Sequence, residues 1–170
     1  MNPRLTVVLM IVLAAALMRI VPHPDNVTPI AAMALFAGAY LPDRRMALLI
    51  PLAAMLLSDL VIGLHASMLY VYAGVAVTVL IGGAMLRSNP SVMPAIAASL
   101  VSSILFFLIT NYGTWVTGVL YPQTADGLMM AYTAGIPFFR NSILGDLFFT
   151  ALLFGGFQAL ERWLPSLQAR

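Results

Sequence analysis

Six apolar stretches, joined by short polar segments, take up most of this 170-residue sequence. Hydrophobic residues make up 62% of the chain and charged residues only 8%. A soluble domain carries about 25% charged residues, so this chain could not keep its apolar surface out of water. The pattern predicts an all-α integral membrane protein, a monomeric bundle of six transmembrane helices that forms one domain over residues 1–170.

The expected helices differ in length. They cover about residues 5–21, 29–41, 46–64, 68–86, 94–120 and 143–160. A spanning helix needs roughly 20 residues to cross about 30 Å of hydrocarbon. The second segment is too short to cross alone, and the fifth is long enough that we expect it to tilt or to break near Gly113. Residues 1–21 have a second interpretation as a cleaved secretory signal, with Arg4 as the basic end.

All eight basic residues are arginines, and their positions predict an orientation. If the amino terminus is cytoplasmic and six segments cross, Arg19 and Arg140 fall on the outer side. The other six then fall on the inner side: Arg4, Arg44, Arg45, Arg87, Arg162 and Arg170. Because basic residues favour short cytoplasmic loops, this arrangement predicts an inner-membrane protein with both termini in the cytoplasm.

With this topology, most of the unusual side chains collect at the outer end of the bundle. A charge in hydrocarbon costs about 3 kcal/mol or more and usually has a partner or a function. We therefore expect a polar pocket there, and the alternative is that these residues only cap helices and contact headgroups. The candidate substrate-binding residues are Arg19, His23, Asp25, Asn26, Asp59, Asn111, Tyr112, Trp115, Phe139, Arg140, Asn141 and Asp146.

The charges near the sixth segment have assigned roles. Arg140 and Asp146 are six residues apart, about 240° around a helix, so each needs a partner from another helix. Arg140 would offer a planar fork to a carboxylate or phosphate, or pair with an aspartate until a ligand arrives. Asp146 is expected in the first turns of the sixth helix, with Asn141 or Ser142 as its cap. The apolar walls are expected from Tyr112, Trp115 and Phe139.

The second segment is preceded by "VPHPDNVTP", which holds three prolines and cannot be regular helix throughout. Thr28 is the expected N-cap and Pro29 the first helical residue. If this helix begins below the outer surface, the loop must dip into the membrane, and such a backbone is tolerated only beside protein or a water-filled cavity. The alternative is a short helix extended by its flanks.

Several kinds of chemistry have no motif here. The chain has no cysteine, and it lacks a phosphate-binding G-x-x-x-x-G-K-[ST] loop, H-E-x-x-H and G-x-S-x-G. We expect no cofactor, no nucleic-acid partner and no dedicated metal site. His23 or His65 could meet a metal carried by the ligand. An enzyme would need two of Asp59, His65 and Asp146 within hydrogen-bond reach of one another.

Four stretches carry a resemblance that covers about residues 19–156. They are "PHPDNVTPIAAMALFAGAYLPDRR", "LLIPLAAMLLSDLVIG", "ILFFLITNYGTWVTG" and "YPQTADGLMMAYTAGIPFFRNSILGDLFFTALLFGG". They resemble a family of small bacterial transport proteins of unassigned substrate. That family is similar to the S components, the substrate-binding subunits of energy-coupling factor vitamin transporters.

The resemblance implies a six-helix, S-component-like fold with an outward-facing pocket under outer loops, in a bacterial inner membrane. It also implies a transmembrane coupling subunit and ATPases as partners. One S-component-like group takes up cobalamin through a cysteine ligand to cobalt, and this chain has no cysteine. A corrinoid would have to meet His23 or His65 instead.

The expected function is binding and uptake of a small vitamin-like micronutrient, either a cobalamin-type corrinoid or another vitamin. The bilayer and the small-molecule ligand are then the immediate partners. The alternative is a structural or assembly subunit of a larger membrane complex, in which the buried charges pair among themselves and leave no cavity. A membrane-embedded enzyme is the third reading.

Overall fold

A computed structural model of the chain describes residues 2–168, and every regular element in that range is helical. Arg170, one of the expected inner arginines, lies outside the described residues. The α-helices are α1 (Pro3–Leu17), α2 (Ile30–Tyr40), α3 (Arg44–Ile62), α4 (Met68–Met85), α5 (Val92–Val116) and α6 (Ala125–Trp163). A 3-10 turn, Pro165–Leu167, follows α6. The prediction of an all-α chain with six helices is confirmed.

Four of these helices, α3 to α6, are long and apolar enough to cross a membrane. With 15 and 11 residues, α1 and α2 are shorter. Large apolar side chains cover the outside of the bundle, and Leu57, Leu69 and Met93 are 65%, 74% and 74% exposed. Soluble monomers rarely expose so much contiguous apolar surface, so the chain has the character of a membrane protein.

The short helix α2 is the centre of the bundle. Its residues from Ala31 to Tyr40 are buried, and it contacts all five other helices. A helix that is apolar all round belongs inside a protein. Close approach to α4 depends on glycine, because a Cβ atom on Gly38 would overlap the backbone of Val79 and Gly83. The small residues of α4 therefore serve packing within the bundle.

One end of the bundle, here called the basic end, holds Arg4, Arg44, Arg45, Arg87 and Arg162. Arg87 lies just beyond α4 and donates to the carbonyl oxygens of Gly38, Leu41 and Pro42, at 3.1, 3.1 and 3.3 Å. The last carbonyls of a helix have no partner within it, so Arg87 satisfies the buried carboxyl end of α2. Arg4 and Glu161 form an ion pair at 2.9 Å beside it.

The largest error of the sequence-based prediction concerns where the sixth helix begins. It begins at Ala125 and not near residue 143, so the expected outer loop around Arg140 is helical. The side chain of Thr124 caps it by accepting a hydrogen bond from the Gly127 amide at 3.2 Å. Pro137 lies inside the helix, where it lacks an N–H donor and is normally disfavoured. Neither Asn141 nor Ser142 caps a helix.

Other helix ends differ by a few residues. α1 ends at Leu17, and α2 has Pro29, not Thr28, at the N-cap position, without a side-chain capping bond. α5 runs unbroken through Gly113 and ends three residues later. The helix does not break at this glycine. The ring of Tyr70 occupies the space that a side chain at position 113 would need.

Glycine at position 38 is expected to be required for stability. Replacing glycine by alanine inside a helix normally favours the helix by about 1 kcal/mol. At Gly38 the added methyl group meets α4 backbone, so we expect Gly38→Ala to lower the free energy of unfolding by about 1–3 kcal/mol. Gly156→Ala is the matched control, because nothing lies within 4 Å of that position. Thermal unfolding in detergent measures both, and equal melting temperatures would contradict the packing argument.

Candidate functional site: a cavity above the short central helix

A cavity of about 520 Å³ opens at the end of the bundle opposite the basic end, here called the cavity end. Its walls come from the loop between α1 and α2, the connection between α3 and α4, and the facing sides of α5 and α6. The first residues of α2, Ile30 and Ala31, form its base. Apolar atoms make up most of the lining surface, although twelve of the 21 lining residues have polar side chains.

The cavity is deep because α2 begins below the ends of its neighbours. Gly38 lies level with Gly83, so Ile30 lies level with about Val75 of α4. That position is seven residues, or about 10 Å, past the start of α4. Since no side chain caps α2, the unpaired N–H groups of its first turn lie at the base of the cavity.

The proline-rich loop before α2 forms one rim of the cavity. Three of its side chains line the cavity: His23, Asn26 and Thr28. The loop makes a tight turn in which the Val27 amide donates to the Pro24 carbonyl at 3.0 Å and Asn26 has a φ of 60°. From α6, Asn141 donates to the Asp25 carbonyl at 3.2 Å and so fixes the turn. The expectation that this loop dips beside a cavity agrees with this geometry.

Asp146 lies at the base of the cavity, well inside α6 and not in its first turns. Its residue is 7% exposed, and Ser103 donates to its Oδ2 at 2.7 Å. Ser103 is near the middle of α5, so this carboxyl group lies deep in the bundle. No basic side chain pairs with it within residues 2–168. Because Asp146 is far from the first turn of α6, the expectation that the helix dipole stabilises it is wrong. An unpaired buried carboxyl group remains to be explained.

Arg19 is the cationic side chain of the cavity wall, and it has a partner. Its Nη1 lies 2.7 Å from Asp59 Oδ1, so the two side chains form an ion pair. The same nitrogen donates to the Met55 carbonyl at 3.2 Å and to the Ser58 hydroxyl. Tyr72 donates to Asp59 Oδ2 at 2.7 Å. Arg19 thus has the aspartate partner that had been expected of Arg140.

Phenylalanines form the apolar wall of the cavity, on α5 and α6. The four that line it are Phe106, Phe107, Phe138 and Phe139. The rings of Phe107 and Phe139 are 4.5 Å apart and tilted by 33°. Trp115 is not part of this wall, because its indole donates to the Pro122 and Thr124 carbonyls and holds the connection between α5 and α6. The ring of Tyr112 lies beside the Trp115 indole and is likewise outside this wall.

The structure divides the predicted site residues into two equal groups. Those that line the cavity are Arg19, His23, Asn26, Asn111, Phe139 and Asp146. Those that do not are Asp25, Asp59, Tyr112, Trp115, Arg140 and Asn141. Arg140 is exposed and makes no ion pair or side-chain hydrogen bond with any described residue. It lies on a different face of α6 from Asp146, as their spacing requires.

Sequence reasoning missed part of the lining. The residues not chosen include Ser103, Phe106, Thr110 and Thr114 on α5 and Gly135, Phe138 and Ser142 on α6. Serines and threonines on one face of an apolar helix are typical of helix packing, and apolar residues carry no signal of their own. The helical register offered a signal, since Ser103, Phe107, Thr110 and Thr114 repeat at spacings of three and four.

Both histidines line the cavity near its mouth. His23 Nδ1 is 3.0 Å from the Pro24 carbonyl oxygen, and His65 Nδ1 is 3.0 Å from the Ser67 hydroxyl. Within residues 2–168, no group of three histidine, cysteine or acidic residues is placed to hold a metal ion. A histidine contact to a metal inside a ligand stays a prediction.

The fold and the cavity define a helical membrane protein with a recess above a central half-length helix. The chain belongs to the family described as "Family of unknown function (DUF6580)", whose model matches residues 1–167. Comparison with curated proteins and with solved structures gives no match.

The two outer arginines are expected to differ in their contribution to stability. Arg19→Ala leaves the buried Asp59 without its counter-ion, so we expect a loss of about 3–5 kcal/mol in the free energy of unfolding. Arg140→Ala removes an exposed, unpaired side chain and should change it by about 0.5 kcal/mol or less. Thermal unfolding of the two variants in the same detergent makes the comparison. A larger loss for Arg140→Ala would show that the ion pair is misassigned.

Proposed function

We propose that the protein binds a small, vitamin-like solute in the cavity and serves as a substrate-binding or transport protein for its uptake. The observation that carries this proposal is the cavity itself. Its volume of about 520 Å³ falls within the roughly 300–1,000 Å³ typical of small-molecule sites. Such sites combine apolar surface with polar groups that orient the ligand, and this lining holds both.

The arginines support an outward-facing cavity. The basic end holds five of the arginines of the described chain, and the cavity end holds Arg19 and Arg140. By the positive-inside rule, the basic end lies in the cytoplasm and the cavity faces the opposite side. Both termini then lie inside, in a bacterial inner membrane.

The short helix α2 favours transport over passive binding. Many transporters place a substrate at the amino terminus of a helix that stops within the membrane, where its unpaired N–H groups face the ligand. Here that terminus lies at the base of a cavity open to one side. The resemblance to S components adds a transmembrane coupling subunit and ATPases as proposed partners.

The two rival functions find less support. An assembly subunit should pair its buried charges and leave no cavity, and the cavity and the unpaired Asp146 both argue against it. For an enzyme, hydrogen bonds should connect at least two of Asp59, His65 and Asp146. In the described part of the chain these three bond instead to Tyr72, Ser67 and Ser103.

The proposal predicts a ligand that a large side chain in the cavity would displace. The purified protein would be screened by melting temperature against vitamins, corrinoids and nucleobases. A ligand at a hundred times its dissociation constant adds about 2.7 kcal/mol to stability. We expect at least one hit, and Thr114→Trp should abolish its shift because Thr114 lines the cavity.

Thr133→Trp is the matched control. Thr133 is exposed on α6, lies outside the cavity and bonds back to its own helix as Thr114 does. Its variant should keep the ligand-induced shift. A hit that Thr114→Trp leaves intact would place binding elsewhere, and silence across the panel would favour the assembly subunit.

A further inference from the structure

We propose that the solute is an organic cation, an ammonium or protonated nitrogen group attached to a compact apolar body, and that Asp146 is its counter-ion. This inference rests on the proposed function, because it assigns the chemistry of the same cavity. Its basis is the combination of one unpaired carboxyl group at the base of the cavity and aromatic side chains along the wall above it.

With Asp146 ionised, the balance of charge around the cavity is negative. Arg19 is the only arginine of the described chain that lines it, and the carboxylate of Asp59 neutralises Arg19. The amino terminus of α2 contributes the equivalent of about half a positive charge. Asp146 contributes a full negative charge when ionised, so the helix terminus offsets it only in part. A cation is therefore the ligand that completes the electrostatics of this site.

The Asp146 carboxyl group has room for such a partner. Ser103 occupies one of its oxygens, Oδ2, and no other side chain within residues 2–168 donates to the group. A buried carboxylate that accepts a single hydrogen bond is costly to maintain, because isolated charges are poorly solvated away from water. A ligand ammonium or N–H group that bonds to the remaining oxygen would relieve that cost on binding.

The walls favour an organic cation over a bare metal ion. A metal ion of small radius requires several oxygen or nitrogen ligands, and no cluster of three metal-binding side chains exists in the described chain. Phenylalanine faces attract organic cations through the ring quadrupole within about 6 Å of the ring centroid. Phe107 and Phe139, whose rings are 4.5 Å apart and tilted, line the same cavity as Asp146.

Charge-selective labelling tests this inference without knowledge of the natural ligand. The chain has no cysteine, so one introduced thiol reports on one position. Thr110→Cys places a thiol on the cavity wall, and Ser166→Cys places one at the exposed 3-10 turn near the basic end. Each would react in detergent with a cationic reagent, trimethylammonioethyl methanethiosulfonate, and with its anionic counterpart, the sulfonatoethyl reagent.

The cationic reagent should react with Thr110→Cys about ten-fold faster than the anionic reagent, once each rate is divided by its rate with a free thiol. Adding Asp146→Asn should bring this ratio close to one, and Asp146→Glu, which keeps the charge, should preserve it. The ratio at Ser166→Cys should not respond to either change. If Asp146→Asn does not fold, the ratio of the two rates at Thr110→Cys with Asp146 present still tests the proposal, because a ratio near one contradicts it.

The outcomes separate the two proposals. An anionic reagent that reacts as fast as the cationic one, or a ratio that survives Asp146→Asn, overturns the cation assignment and leaves solute binding standing. If neither reagent reaches Thr110→Cys while both reach Ser166→Cys, the cavity is closed to water-soluble molecules. That result overturns the proposed function as well.

Discussion

The structure depends on the need to satisfy the backbone of a buried helix that is too short to cross the membrane. Polar backbone groups away from water require partners inside the protein. At the basic end, Arg87 donates to the Gly38 carbonyl in the last turn of α2 and to the carbonyls of Leu41 and Pro42 just after it. At the other end no side chain caps the helix, and its first turn meets the cavity. The cavity thus lies at the amino end of α2, which has no side-chain partner, and not at the carboxyl end, which Arg87 contacts.

The charged side chains also differ between the basic end and the cavity end. Arg4 pairs with Glu161 at the basic end, and Arg19 pairs with Asp59 beside the cavity, so these four groups stabilise the bundle. Arg140 is exposed, lies outside the cavity lining and makes no ion pair with a described residue. Asp146 is the exception, since a single serine hydroxyl bonds to it. A polar group that is buried and incompletely bonded is the strongest structural sign of a function in this molecule.

Much of this arrangement was predictable from residue order, and the failures have identifiable causes. The short second segment followed from a run too short to span the bilayer, and "VPHPDNVTP" left a dipping loop as one of two alternatives. The first half of α6 was missed, and it contains Pro137, a residue that is disfavoured inside a helix. Packing against α5 outweighs that local preference, although Thr124 carried a usable capping signal. Trp115 was assigned to the pocket because an indole at an outer helix end suits either a ligand or a turn.

The sequence by itself determined that the chain is helical and apolar, that its second apolar segment is too short to span a bilayer and that its unusual polar residues gather at one end. Periodicity, charge counts and proline positions are local properties, so they can be read along the chain. Only the tertiary structure decided that Arg19 pairs with Asp59, that Arg140 faces outward and that Asp146 lies unpaired at the base of the cavity. Those facts depend on which helices meet and at what depth, and residue order does not specify contacts between distant segments.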